Sequence, residues 1–118
     1  KDGFKGTRPR LAAHREAVDA VHEAWDKGKA EFPGAARILT GDFNVDYRQR
    51  WVRDWWAKEF PILTPCWDLR IPIRGTRGKR VIDWTAASPQ LQTVRARVLP
   101  TVDGFDHRPL VVAYAVKS

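Results

Sequence analysis

Ile38-Leu39-Thr40-Gly41-Asp42-Phe43-Asn44 runs an apolar strand straight into a Gly-Asp-aromatic-Asn turn. Side chains on an extended segment alternate with period two. Asp42 and Asn44 are therefore expected on one face, with Phe43 turned the other way into packing. A carboxylate can take or orient the proton of an attacking water. A neutral carboxamide beside it can hold a developing phosphoryl oxygen without neutralising that carboxylate. The competing reading is a polar strand-to-helix connection in which Asn44 or Asp46 caps the next helix.

Two later segments add to this one. Lys79-Arg80-Val81-Ile82-Asp83-Trp84 is a basic lead-in to a short apolar strand with a single acid inside it. Asp106-His107-Arg108-Pro109 directly precedes the apolar strand Leu110-Val111-Val112-Ala113-Tyr114-Ala115-Val116. GDFN, then IDW, then DHRP with a strand after it, in that order and over nearly the whole chain, closely resembles the C-terminal half of the endonuclease/exonuclease/phosphatase superfamily, whose fold is that of deoxyribonuclease I.

The resemblance implies an α/β (α+β) fold forming the second half of a two-sheet sandwich flanked by helices, with residues 1–118 as part of one domain and no second domain. It implies roles as well. Asp42 activates or orients water, Asn44 hydrogen-bonds phosphoryl oxygens, and Asp83 pairs with His107. Asp106, with Asp42, helps hold a divalent cation or its water, Mg²⁺ first and Mn²⁺ as its substitute. The expected activity is metal-dependent phosphodiester hydrolysis, with inositol-phosphate or other phosphoester hydrolysis as the near rival and a non-catalytic binding module as the alternative from another class. Where the family usually carries Ser before the Asp-His pair, this chain has Phe105. The family's metal-binding Glu and its first-half Asn and His have no counterpart here, so the isolated chain is expected to be inactive and to need the first half, or a second chain, over its exposed sheet.

Composition fits a piece of a domain. The 118 residues are 43% hydrophobic and include six Trp, enough for a small core, and there is no Met, as in a processed chain, an excised domain or a designed one. Lys and Arg total 21 against 14 Asp and Glu, a net +7 that favours polyanionic partners, nucleic acid (DNA ahead of RNA) or phosphorylated small molecules. The single Cys66, between Pro65 and Trp67, excludes an intramolecular disulfide and reads as a buried thiol. No transmembrane run or signal peptide is visible, and a cytoplasmic location is expected with no membrane partner.

Along the chain, the pattern predicts a helix from about Pro9 to Lys27, with Pro in the first turn, Gly28 as the left-handed cap and Leu11, Val18, Val21 and Trp25 as one apolar stripe packing on a sheet. His14 and His22 on its flanks lack the spacing of a zinc protease and read as structural or surface groups. A strand over 37–40 and a helix from about Tyr47 to Glu59 follow, the helix bearing the aromatic face Trp51, Val52, Trp55 and Trp56, which packs as core or stacks bases. Residues 61–72, with three prolines, read as an irregular connection with Cys66 and Trp67 tucked inward. Arg74-Gly75-Thr76-Arg77-Gly78-Lys79-Arg80 carries four cations and two glycines and reads either as a flexible loop on a phosphate backbone, through Arg74, Arg77, Lys79 and Arg80, or as a solvated hairpin tip. Strands over 81–86, 91–99 and 109–116 complete the pattern.

Overall fold

The computed structural model describes residues 2–117, with side chains from His14 onward. Among the described residues the fold is mixed α+β, with two α-helices and two small antiparallel sheets. The chain falls into two compact units, residues 1–35 and 36–118. The first is a single helix, α1 (Asp2–Glu31). It begins well before Pro9 and passes through Gly28, whose carbonyl accepts the Phe32 N–H at 2.8 Å. Proline inside a helix forfeits one backbone bond without always ending it, and glycine lowers helix propensity without forbidding the conformation. The left-handed residue comes later, at Gly34 with φ 81°. No helix among the described residues is long and apolar enough to cross a membrane.

In the second unit, β1 (Ile38–Asp42), β2 (Thr64–Pro65) and β3 (Asp83–Ala87) form a sheet in the order β1-β3-β2. Two strands, β4 (Leu91–Val98) and β5 (Leu110–Val116), make the second sheet. The prolines of 61–72 do not prevent a ladder altogether: Thr64 and Pro65 pair with Ala87 and Ala86 as a two-residue edge strand, where proline is tolerated. A 3₁₀ turn over Cys66–Asp68 then buries Cys66 and Trp67, whose indole N–H donates to the Asp83 carbonyl at 3.0 Å. Helix α2 covers Arg50–Glu59, a turn shorter at its start than the pattern suggests.

Period two on β3 places Trp84 and Ala86 in the core and Asp83 and Thr85 on the opposite face. On the core side, Phe43 stacks on Trp84 with centroids 4.6 Å apart, and Trp56 of α2 meets Phe43 edge-on at 5.1 Å. The aromatic face of α2 thus divides: Val52 and Trp56 are core, whereas Trp51 is exposed and donates to Gln49 Oε1 at 3.0 Å. Beneath the cluster, Tyr47 hydrogen-bonds Asp68, and burial followed by that carboxylate pushes the phenol far above its usual range. On the other face, Thr85 shares a hydroxyl hydrogen bond with Tyr114 of β5, which ties the two sheets together.

Candidate active site

The register of β1 on β3 sets Asp42 directly opposite Asp83 at the end of the sheet. Side chains so paired share a face, and like charges there repel. His107, in the loop before β5, is the group that answers them. Its Nδ1 lies 2.8 Å from Asp83 Oδ2, and its Nε2 lies 3.8 Å from Asp42 Oδ2. The hydrogen bond to Asp83, opposed by partial burial and reinforced by the charges of Asp83, Asp42 and Asp106, holds the imidazole pKa above its ordinary value of 6.5. The three side chains surround an open depression of about 420 Å³ that Thr40 and Arg108 also line. A separate hollow of about 290 Å³ between Arg95, Arg97, Leu99, Val111 and Ala113 contains neither an acid nor a nucleophile.

The remaining residues singled out by sequence are placed differently. Asn44 does not extend the alternation of β1, because the strand ends at Asp42 and Asn44 adopts a left-handed φ of 57°. Its backbone N–H instead donates to Asp42 Oδ1 at 2.8 Å, closing a turn that orients the carboxylate. Neither Asn44 nor Asp46 caps α2, whose N-cap is Gln49 without a side-chain bond. Asp46 Oδ1 accepts the N–H groups of Arg48 at 3.0 Å and Val81 at 3.1 Å, pinning the turn to the lead-in of β3. Asp106 stands outside the Asp42, Asp83 and His107 group, with its exposed carboxylate 3.3 Å from Arg77.

The stretch 74–80 is an ordered hairpin. Thr76 N–H and Arg77 N–H both donate to the Arg80 carbonyl, at 2.8 and 3.0 Å. The fully buried Thr76 hydroxyl accepts the N–H groups of Ile82 at 2.9 Å and Asp83 at 3.1 Å, so it fixes the start of the strand that bears Asp83. Arg80 reaches the Asn44 carbonyl at 3.2 Å, and Arg74 reaches the Val98 carbonyl at 3.4 Å, whereas Lys79 is exposed at the tip. Thr76 and Arg108 are the two organising residues that sequence patterning passes over. The one available signal was a threonine between two glycines in a run of cations.

One donor atom each from Asp42, Asp83 and His107 lies within 4.8 Å of the others, close enough to bracket an ion. Mg²⁺ takes oxygen ligands, commonly one or two protein carboxylates with water and phosphate oxygens completing the sphere. The half-exposed Asp42 carboxylate suits that role, while Asp83 Oδ2 is committed to His107 and the imidazole is a poor partner for so hard an ion. Of the three donors, the Asp42 carboxylate is thus the one whose chemistry suits Mg²⁺. Comparison with known protein families, curated proteins and solved structures finds no match for this chain.

Proposed function

We propose that the chain is the C-terminal half of a Mg²⁺-dependent phosphodiesterase domain of the endonuclease/exonuclease/phosphatase kind, acting on nucleic acid, DNA ahead of RNA. The observation that carries this reading is an imidazole anchored on one nitrogen by Asp83 at 2.8 Å and facing the Asp42 carboxylate with the other. The 3.8 Å between His107 Nε2 and Asp42 Oδ2 exceeds a direct hydrogen bond and suits a shared oxygen between them, from water or phosphate.

In this mechanism Asp83 fixes the imidazole and favours its protonated form, so that Nε2–H donates to a phosphoryl oxygen. Asp42, oriented by the Asn44 N–H, takes or directs the proton of the attacking water. Asn44 sits in the turn after β1, and to its carboxamide this reading assigns a second phosphoryl oxygen as negative charge develops. A divalent cation, when bound, polarises the phosphoryl group and eases departure of the leaving oxygen. Asp42 would hold that cation, Asp106, 3.3 Å from Arg77, would meet it only through its water shell, and the metal-binding Glu that the family carries in its first half would complete the site. Arg74, Arg77, Lys79 and Arg80 supply cations to the substrate backbone.

A non-catalytic binding module is the second reading, favoured by a metal-competent group of only Asp42, Asp83 and His107 among the described residues. Hydrolysis of end-labelled DNA, RNA and small phosphoesters, by the chain restored to a complete domain and supplied with Mg²⁺, separates the two. Cleavage of DNA that is abolished by His107→Ala supports the enzyme. Retained hydrolysis in Asp42→Ala or His107→Ala overturns it, and a preference for the small esters moves the substrate from nucleic acid to a phosphorylated head group.

A further inference from the structure

Both residues beside His107 grip the cationic hairpin. On one side Asp106 pairs with Arg77 at 3.3 Å. On the other, Arg108 takes three carbonyls of the hairpin: its backbone N–H donates to Thr76 O at 2.6 Å, and its Nη1 donates to Gly75 O at 2.7 Å and Gly78 O at 2.8 Å. The hairpin is too tight for substitution at its base, since a Cβ on Gly75 would fall 2.5 Å from Gly78 O. Gly78 turns the tip with φ 56°. Arg80 fastens the same hairpin to the Asn44 carbonyl, one turn from Asp42. The hairpin therefore touches the turn that follows Asp42 and the loop that carries His107, and Thr76 holds the start of the strand that carries Asp83.

We infer that Arg108 is a positioning residue that locks the 74–80 hairpin to the His107 loop, so that Arg77, Lys79 and Arg80 meet the phosphates flanking the one at His107. The inference rests on the proposed phosphodiesterase reading and adds to it how substrate contact is registered against the reacting phosphate. Two structural facts favour this over a plain surface contact. Arg108 spends its guanidinium on neutral carbonyls and pairs with neither Asp42 nor Asp83, and it lines the same depression as both. The cations nearest the tip, by contrast, are exposed. A rigid cationic loop loses less conformational entropy on meeting a polyanion than a flexible one does.

The test compares Arg108→Gln and Arg108→Lys with Lys58→Gln, which removes one charge from the exposed side of α2. Amide hydrogen exchange and fluorescence anisotropy with a labelled DNA duplex over a range of salt are the readouts. In Arg108→Gln, the amides of Thr76, Arg77 and Arg80 are expected to exchange roughly tenfold faster or more while the β1–β3 ladder keeps its protection. DNA affinity falls by about tenfold and the salt slope shrinks by about two, against at most one for the Lys58 control. Arg108→Lys restores part of both. Unchanged hairpin exchange, or DNA binding no weaker than in Lys58→Gln, overturns the positioning role. Those readouts need no turnover, so loss of the catalytic reading, seen as hydrolysis indifferent to His107→Ala, is recognised separately.

Discussion

Asp42 and Asp83 stand directly opposite each other on neighbouring antiparallel strands, two carboxylates on one face with His107 as their common partner. Above the pH at which the imidazole loses its proton, that pair is a net liability. Asp42→Asn keeps an oxygen for the Asn44 N–H and removes one charge, so at alkaline pH it is expected to leave stability unchanged or raise it by roughly 0.2–1 kcal/mol. Urea denaturation measures this. A clear loss of stability would mean that the two carboxylates do not oppose each other in solution.

The raised pKa of His107 couples folding to pH with a definite sign. Because the folded protein binds the imidazolium proton more tightly than the unfolded chain, the stabilisation is fully present below the ordinary value of 6.5 and is lost as pH rises through the higher folded pKa. The stability difference between wild type and His107→Gln should shrink across that window, and the imidazole resonances should titrate above 6.5. Asp83→Asn should bring the titration down, since its carboxylate supplies the largest upward contribution.

On the proposed phosphodiesterase reading, in the chain joined to a first half, Asp42→Ala, Asn44→Ala and His107→Ala should each lower turnover by about 10²–10⁴ with the circular dichroism spectrum unchanged. Chelation of Mg²⁺ by EDTA should abolish turnover, and Mn²⁺ should return it. Steady-state assays read all of these. Near-normal rates in the Asp42 or His107 variants would leave only the binding-module reading.

Thr76 makes a stringent test of the hairpin's internal order. Thr76→Val preserves shape and strands the Ile82 and Asp83 N–H groups without their acceptor, at about 1–3 kcal/mol for each buried donor. Thr76→Ser should recover most of that. Gly75→Ala forces a methyl against the Gly78 carbonyl and should cost roughly 1–3 kcal/mol. Chemical denaturation ranks the three, and a Thr76→Val protein as stable as wild type would contradict the bonding described.

Strand patterning in the sequence was a good guide wherever a single face is buried. Alternation in Asp83-Trp84-Thr85-Ala86 separates core from site, and the apolar run after Pro109 does form β5. Proximity of Asp83 to His107, 2.8 Å apart, was foreseen only through the family resemblance that the three motifs carry, not from residue patterning. The helix bounds were not legible, because Pro9 and Gly28 are weak local signals against a continuous run of backbone bonds. The face expected for Asn44 was misjudged for a related reason: alternation holds only while the chain stays extended, and a left-handed residue breaks it. The parts played by Thr76 and Arg108 depend on backbone carbonyls and amides brought together across the fold, which residue types along a line do not encode.

The buried Cys66 gives this chain a natural clock. Its thiol has no exposed surface and burial pushes its pKa up, so the reactive thiolate is scarce as well as sheltered. It sits at the turn beside β2, next to the indole that anchors the start of β3. Alkylation of the native protein should therefore proceed only through opening of that corner of the sheet. Its rate, followed by mass spectrometry, then measures how often the strand carrying Asp83 lets go of its support.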